Sequence, residues 1–432
     1  MNDTLHYMIR FLLGDDIPEE IVGTIGYTSN RSQYYRYSLV IVPSGFFDDQ
    51  VYGSQLSMPT LPLPEVEGVP LLFGSDKTEW MGNTWVIYSD IIASTYFLIT
   101  RYEEIMKRNI RDEHGRFPGK ESLPYRAGFL NRPIVDEYRR LLRRWLRQCH
   151  IQVPDTDNQV RKVYLTHDVD APFQYRSWKG LVRSFIDRRG IHKSISGKFG
   201  LAIKDPYYTF PWLFRQNSIL EDIVGKEHCR TILFFKSGGN TQQDKPVYNL
   251  RSADMQKLIK ETLAHEAEIG LHASYQSGIH PSHISKEKKR LEDRIGKTLY
   301  ANRHHYLSSR EPEDMDRLEA AGITDDFTMG YADVAGFRLG TSYPVRWINP
   351  TTRRLSPLLL HPLTVMDCSL DSKKYMGLDY EEAESYCTHL IKQVNEVGGE
   401  IVLLWHNTSF REHTDSYHRK LYSKLLNELT KK

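Results

Sequence analysis

The stretch that decides the fold is Val163-Tyr164-Leu165-Thr166-His167-Asp168-Val169-Asp170. Val163 to Leu165 is a short apolar run that predicts a buried parallel strand, and polar residues follow it. Residues two apart on a strand point the same way, so we expect Asp168 and Asp170 to project together from its carboxyl end, where α/β folds build active sites. Two neighbouring carboxylates repel each other unless a cation or a shared proton offsets them. The pair therefore predicts either a metal ligand beside a free base, or a turn with capping aspartates.

The length and composition of the chain indicate a folded protein of two domains. Its 432 residues exceed one typical core, and 40% hydrophobic with 26% charged residues is ordinary for a globular protein. A net charge of +2 gives no general case for binding nucleic acid or an anionic membrane. We find neither a basic leader nor an apolar run long enough to span a bilayer, so we expect a cytoplasmic protein. The oligomeric state is not indicated.

The cysteines of the chain are scattered, with no C-x-x-C pair, which predicts reduced, buried thiols instead of a disulfide or zinc framework. They are Cys149, Cys229, Cys368 and Cys387.

Residues 1–150 are predicted to form a smaller α+β accessory domain, and the polar segment 151–159 is predicted to be a linker. Asp90 is a suitable cap for a helix over Ile91–Arg108. A second helix, Ile134–Cys149, carries a run of arginines that predicts a solvated helix face. Docking against the second domain or attraction of an anionic sugar carrier is the minority interpretation of this run.

Residues 160–432 alternate between predicted strands and helices, which favours a parallel α/β barrel or a doubly wound sheet. Polar residues end or closely follow successive predicted strands, and in a barrel these ends converge on one mouth. Carboxylate and imidazole ligands suit a divalent ion such as zinc, with cobalt, nickel or iron as alternatives. The residues at these strand ends are Asp168, Asp170, His272, Arg303, His305, Asp326 and His406.

The order of five short motifs resembles that of the polysaccharide deacetylases, carbohydrate esterase family 4. The motifs are Thr166-His167-Asp168-Val169-Asp170, Gly270-Leu271-His272, Arg303, Asp326 and Leu404-Trp405-His406. The resemblance implies a distorted (β/α)7-type barrel behind the smaller α+β domain. It also implies metal-dependent hydrolysis of acetyl groups, N-acetyl more than O-acetyl, from a carbohydrate or sugar precursor. The N-terminal region looks like a domain found ahead of such barrels in bacterial loci for capsule and other surface polysaccharides.

The resemblance implies a role for each matched residue. Asp168 would be the general base, Arg303 would keep it ionised and oriented, and His406 would be the general acid. Asp170 and His272 would be metal ligands. Asp326 would either pair with His406 and raise its pKa or act as a plain helix cap. Four further residues are predicted to line the substrate pocket, namely Ser274, Tyr275, Tyr306 and Asn407.

The chain departs from the family pattern at the third metal ligand. The second histidine of the second motif is replaced by Gln276. Our hypothesis is that His305, just beyond the next strand and beside Arg303, completes the ligand set. Gln276 itself, His280 and His304 are weaker candidates.

Other functions are compatible with the same residues. One is hydrolysis of a non-sugar amide on the same barrel, because substrate choice lies in loops. Another is a barrel that binds carbohydrate and has lost hydrolytic activity, which the missing ligand histidine suggests. A glycosyltransferase that uses Asp168-Val169-Asp170 as a sugar-nucleotide metal site ranks last, because it leaves His272, Arg303, His305 and His406 unexplained.

Overall fold

The computed structural model describes residues 3–156, 158–176, 200–412 and 416–431. The described residues contain a four-stranded sheet, a nine-stranded sheet and a two-stranded ribbon. The strands are β1 (Ile25–Tyr27), β2 (Leu39–Ile41), β3 (Glu65–Val66), β4 (Val69–Pro70), β5 (Gly74–Met81), β6 (Thr84–Ser89), β7 (Lys162–Val169), β8 (Cys229–Phe235), β9 (Glu268–Ala273), β10 (Ala301–His304), β11 (Asp325–Asp326), β12 (Val345–Ile348), β13 (Leu355–Leu360), β14 (Val365–Met366) and β15 (Glu400–Leu404). The α-helices of these ranges, numbered in chain order, are α1 (Asp3–Leu13), α2 (Glu19–Val22), α3 (Ile91–Ile99), α4 (Tyr102–Met106), α5 (Leu123–Arg126), α6 (Ile134–Gln148), α7 (Phe210–Val224), α8 (Ala253–Ala264), α9 (Tyr275–Ile279), α10 (Ile284–Ile295), α11 (Asp316–Ala320), α12 (Asp367–Asp371), α13 (Tyr380–Val397) and α14 (His418–Leu429).

The four-stranded sheet lies in the N-terminal part of the chain and has the order β1-β2-β6-β5. The strands β1, β2 and β6 pair in parallel, and β5 pairs antiparallel with β6. Helices α1, α3 and α6 pack against one another beside this sheet. The division at 151–159 stays a prediction.

The predicted helix Ile91–Arg108 is interrupted. Helix α3 ends at Ile99, and Arg101 adopts a left-handed backbone with φ of 56° before α4 begins. The change of direction brings the buried side chain of Arg101 beside Glu104, with Nη1 3.2 Å from Oε2. Sequence periodicity missed the break because apolar residues continue at helical spacing on both sides of it.

The nine-stranded sheet has the order β12-β13-β11-β10-β9-β8-β7-β15-β14. Every neighbouring pair is parallel except β12 with β13. The sheet is curled into a half-barrel, and its concave face holds an apolar cluster that includes Tyr164, Ile232, Phe234, Phe327, Val402 and Leu404. The predicted α/β class is confirmed, and the division into seven barrel units stays a prediction.

Two arginines of α6 depart from the predicted solvated face. Arg139 and Arg143 are buried, and each donates to a carbonyl at the end of α1, that of Phe11 and that of Leu13 respectively. Because a guanidinium carries several donors in a fixed fork, it can satisfy carbonyl groups that a helix end leaves without partners. The exposed arginine Arg144 fits the prediction and pairs with Glu67 at 2.8 Å.

The N-terminal part packs against the large sheet through buried polar contacts. Glu104 accepts from Nε and Nη2 of Arg338 at 3.0 and 2.8 Å, and all three charged side chains of the Arg101–Glu104–Arg338 group are at most 3% exposed. Burial alone would raise the pKa of Glu104, but Arg338 and Arg101 hold that pKa below its usual value. No helix among the described residues is both long and apolar enough to cross a membrane.

Candidate metal centre

Asp168 and Arg303 meet on the concave face of the sheet. Strand β7 runs on through Val169, further than the apolar run predicts, so Asp168 lies within the strand. Nη1 of Arg303 donates to Oδ1 of Asp168 at 3.1 Å, and Nε of Arg303 donates to the carbonyl of Phe327 at 3.0 Å. The guanidinium also lies 4.7 Å above the ring of Phe234. Burial lowers the pKa of Arg303, although a guanidinium remains a cation.

Asp170, His272 and His305 form a cluster of three potential metal ligands whose ligand atoms all lie within 4.8 Å of one another. Oδ1 of Asp170 is 3.2 Å from Nε2 of His272 and 3.2 Å from Nε2 of His305. Strands β9 and β10 supply the histidines, since His272 is in β9 and His305 directly follows β10. The structure therefore brings together the three residues that the sequence proposed as ligands.

Each imidazole of the cluster also has a polar partner at Nδ1, the ring nitrogen that faces away from Asp170. Nδ1 of His272 lies 2.9 Å from the carbonyl of Arg303, and Nδ1 of His305 lies 3.3 Å from Oδ1 of Asp244. A carbonyl or carboxylate on one ring nitrogen places the proton there and leaves the lone pair on the other nitrogen. Both Nε2 lone pairs then face the carboxylate of Asp170.

This donor set fits a divalent cation. Oδ1 of Asp170 and Nε2 of His272 are buried and have no hydrogen-bond partner among the described residues. Acceptor atoms therefore meet at this point without a hydrogen-bond donor. Ligand bonds of about 2.0–2.1 Å in a tetrahedral site place neighbouring ligand atoms roughly 3.3 Å apart, close to both imidazole–carboxylate distances. Burial favours the neutral form of His305, but Asp170 raises its pKa above the usual value, so a cation would displace a proton here.

His406 pairs with Asp367, a residue that the sequence analysis missed. Nδ1 of His406 lies 2.8 Å from Oδ1 of Asp367, whose Oδ2 accepts from the backbone N–H of His406 at 2.8 Å. Nε2 of His406 points to the cluster, 3.6 Å from Oδ2 of Asp170. Burial opposes protonation, but the carboxylate of Asp367 raises the pKa of His406 well above its usual value.

The proposed Asp326–His406 pair is wrong. Asp326 accepts from Asn302 Nδ2 at 2.8 Å and from the hydroxyl of Thr328 at 2.8 Å. Strand alternation explains this, because Asn302 lies on the opposite face of β10 from Arg303. Asp326 is thus a buried structural residue on the outer side of the sheet, and its catalytic role is not supported.

Two of the residues predicted to line the substrate pocket, Ser274 and Asn407, are buried and form hydrogen bonds within the protein. Ser274 is the N-cap of α9, and its hydroxyl donates to Glu287 Oε1 at 2.6 Å. Asn407 donates to the carbonyls of Ala171 and Tyr207 at 3.0 and 2.8 Å. Since both side chains are 0% exposed, they hold the loops around the site and are not free to contact a substrate.

The two predicted tyrosines lie beside the cluster. The ring of Tyr306 is 4.8 Å from that of His305 and 5.4 Å from that of Tyr275, and Tyr306 is 39% exposed. His114, from the N-terminal part, packs against both: its ring is 4.8 Å from that of Tyr306, and its Nδ1 is 3.3 Å from the Tyr275 hydroxyl. No local pattern in the sequence marked His114 as a neighbour of this site.

The weaker candidates for the third ligand lie away from the cluster. His304 is buried on the other face of β10, with Nδ1 3.1 Å from Asn302 Nδ2, and burial lowers its pKa to about 4. His280 is exposed beside His283. Gln276 lines a separate cleft with Lys286.

A buried lysine also adjoins the cluster. Lys236 directly follows β8, and its Nζ lies 4.0 Å from Oδ1 of Asp170 while it donates to the carbonyl of Asp244 at 3.1 Å. Its position immediately after a strand is the signal that sequence reading overlooked.

The free cysteines are not all buried as predicted. Cys229 and Cys387 are buried, but Cys149 is half-buried and Cys368 is exposed. Sγ of Cys368 lies 3.7 Å from Nδ1 of His406. The exposed thiol reflects its position at the start of α12, directly after Asp367, at the mouth of the site.

Comparisons with known proteins find one family match and distantly similar solved structures. Residues 3–151 match a family described as one of unknown function, DUF7033. A putative polysaccharide deacetylase from Mycobacterium smegmatis has a similar structure, with 14% identity and a TM-score of 0.40, over 64% of this chain and 86% of that chain. A mutant of a CE4 family pseudoenzyme with restored enzymatic activity has 11% identity and a TM-score of 0.30, over 62% of both chains. No curated protein matches the sequence. Likenesses this distant do not establish a function.

Proposed function

We propose that this chain is a metal-dependent hydrolase that removes an acetyl group from an amide nitrogen of a carbohydrate. One observation carries the proposal. Two charged pairs border the cluster of three potential metal ligands at the carboxyl edge of one sheet: the carboxylate of Asp168, paired with Arg303, lies beside His272, and the imidazole of His406, paired with Asp367, lies beside Asp170. These are the groups that amide hydrolysis by an activated water requires.

The metal ion would be held by Asp170, His272 and His305. Zinc suits one carboxylate and two imidazoles best, and cobalt, nickel and iron are compatible alternatives. When bound there, a divalent cation supplies a water of lowered pKa and polarises a carbonyl oxygen.

Asp168 would act as the base. Its Oδ2 lies 3.5 Å from Nε2 of His272, so this carboxylate borders the ligand cluster without belonging to it. Asp168 would take a proton from the attacking water. Arg303 would hold the carboxylate in one orientation and offset its charge, because the pair is removed from solvent.

His406 would act as the acid on the opposite side of Asp170. The carboxylate of Asp367 raises the pKa of His406 and so favours the protonated imidazole, whose Nε2 faces the cluster. His406 would give that proton to the departing nitrogen, while Asp367 holds the ring through Nδ1. An amine leaves only when it is protonated, so a built-in acid favours an N-acetyl over an O-acetyl substrate.

The exposed ring of Tyr306 beside the ligand His305 supports a carbohydrate substrate, because aromatic faces stack on sugar rings. A non-sugar amide would use the same chemical groups, so only a substrate comparison distinguishes the two. The carbohydrate-binding barrel without activity is less favoured, because the acid and base pairs are both complete.

Metal content tests the proposal most directly. Purified wild type, Asp170→Ala and the control Asp222→Ala, an exposed position on α7, are incubated with zinc or cobalt, dialysed and analysed for bound metal. We expect about one ion per chain in wild type and control, and none in Asp170→Ala. Acetate release from N-acetylated and O-acetylated oligosaccharides and from simple acetamides then identifies the substrate class. Wild type that retains no metal would overturn the proposal and leave a binding barrel as the function.

A further inference from the structure

A loop of the N-terminal part, Asp112–Pro118, reaches the candidate metal centre. Its Arg116 is 7% exposed, and Nη1 donates to the backbone carbonyl of Tyr306 at 2.8 Å. Asp112 accepts from Nε of Arg116 at 2.8 Å, and Nη2 donates to the hydroxyl of Tyr375 at 3.2 Å. These partners fix the guanidinium, so its bond to Tyr306 has a defined direction.

The carbonyl that Arg116 holds belongs to a strained turn. Tyr306 has φ of 61° and Leu307 has φ of 51°, so two successive residues with side chains occupy the left-handed region. Such conformations persist only where the surroundings impose them. The turn follows His305 directly, so a fixed turn restricts the movement of the backbone from which the imidazole of His305 projects.

The ring of Tyr306 is held from the same loop. His114 packs edge-on against it at 4.8 Å, and the bond between His114 and the Tyr275 hydroxyl ties the imidazole to α9. Tyr306 is thus contacted twice from this loop, by Arg116 at its carbonyl and by His114 at its ring.

We propose that the N-terminal part is a working component of the metal centre, in which Arg116 and His114 are positioning residues that hold the His305–Leu307 turn so that His305 faces Asp170. This rests on the proposed function only in taking His305 as a ligand. A loop that merely joined the two parts of the chain would not need to hold a residue next to a ligand. Other contacts already join them, such as those of Arg108 with Glu311 and Glu313.

Arg108 therefore provides the matched control, because it is an arginine on the same interface that does not touch the turn. Zinc titration calorimetry is performed on wild type, Arg116→Ala, Arg116→Lys and Arg108→Ala. We expect Kd to rise about 10- to 100-fold in Arg116→Ala, the usual effect of losing a residue that orients a ligand. Arg116→Lys should recover part of the affinity because an ammonium can still donate to the Tyr306 carbonyl, and Arg108→Ala should change Kd less than 2-fold.

Hydrogen exchange of the metal-free proteins gives a second readout. Peptides that cover residues 305–309 should exchange faster in Arg116→Ala than in wild type or Arg108→Ala, because the turn loses its hydrogen bond from Arg116. If Arg116→Ala does not fold, the same measurements are made on His114→Ala, because this variant loses only the contact with the ring of Tyr306. Wild-type zinc affinity together with wild-type exchange in the folded variant would overturn the inference. Wild type without zinc binding would overturn the proposed function and with it the role of the turn in a metal centre, whereas exchange of residues 305–309 would still show whether Arg116 holds the turn.

Discussion

Arg303 and Asp168 form an ion pair inside the curled sheet, with Nη1 3.1 Å from Oδ1 and side chains that are 0% and 4% exposed. Removing one partner leaves the other charge buried without compensation, which costs about 3–5 kcal/mol. We expect Arg303→Met to lower the free energy of unfolding by about this amount, measured by urea denaturation. The double variant Arg303→Met/Asp168→Leu should recover much of the loss, because it removes both charges. A double variant as unstable as the single one would contradict this account.

Two variants test whether His305 is the third metal ligand. His305→Ala should abolish or strongly weaken zinc binding, because Nε2 of His305 is one of the three converging ligand atoms. Gln276→Ala should bind zinc as wild type does, because Gln276 lines a different cleft. Metal analysis after dialysis measures both. Retention of metal by His305→Ala, with loss in Gln276→Ala, would reverse the assignment.

Asp367 predicts a pH dependence. Its carboxylate keeps the pKa of His406 well above its usual value, so the proton on His406 is lost only as pH rises through this raised pKa. In Asp367→Asn the pKa of His406 should fall, and the alkaline limb of the kcat/KM profile should move to lower pH. Asp371→Asn is the control, since Asp371 lies on the same helix as Asp367, α12, but pairs with His418 at the start of α14. An unmoved alkaline limb in Asp367→Asn would show that His406 is not the acid.

The buried group at the interface predicts a loss of stability. Glu104→Gln leaves the guanidinium groups of Arg101 and Arg338 buried without a counter-charge, so we expect the free energy of unfolding to fall by about 3–5 kcal/mol. Glu311→Gln should cost less than about 1 kcal/mol, because Glu311 pairs with Arg108 nearer to solvent. Thermal or urea unfolding distinguishes the two. Equal losses in both variants would argue against the buried network.

Sequence reasoning located residues near the end of a strand with a clear apolar signal, as for Asp170 directly after β7 and His272 in β9. Parallel pairing brings these strand ends together, and His305 lies beside them directly after β10. Sequence reasoning failed at Asp367, because β14 is only Val365–Met366 and a strand this short has no periodicity to detect. It also failed at Asp326, where the order of motifs could not reveal on which face of the sheet the carboxylate lies.

Contacts between distant segments were equally invisible in the sequence. The hold of Arg116 on Tyr306 joins residues 190 positions apart, and no local pattern in the Asp112–Pro118 loop marks it. The left-handed backbone at Arg101 was hidden for the same reason, because Arg338, which shares the carboxylate of Glu104 with Arg101, comes from another part of the chain.

The pairing of β15 with β7 has a consequence for biosynthesis. The Thr166 hydroxyl donates to the carbonyl of Leu403, 237 residues later, so one edge of β7 stays open until β15 has been synthesised. All three proposed metal ligands precede Leu403 in the chain, whereas His406 follows it and Asp367 comes only shortly before it. A nascent chain could therefore assemble its ligands before its acid exists. Hydrolysis would begin only when the last strand of the sheet closes against the first.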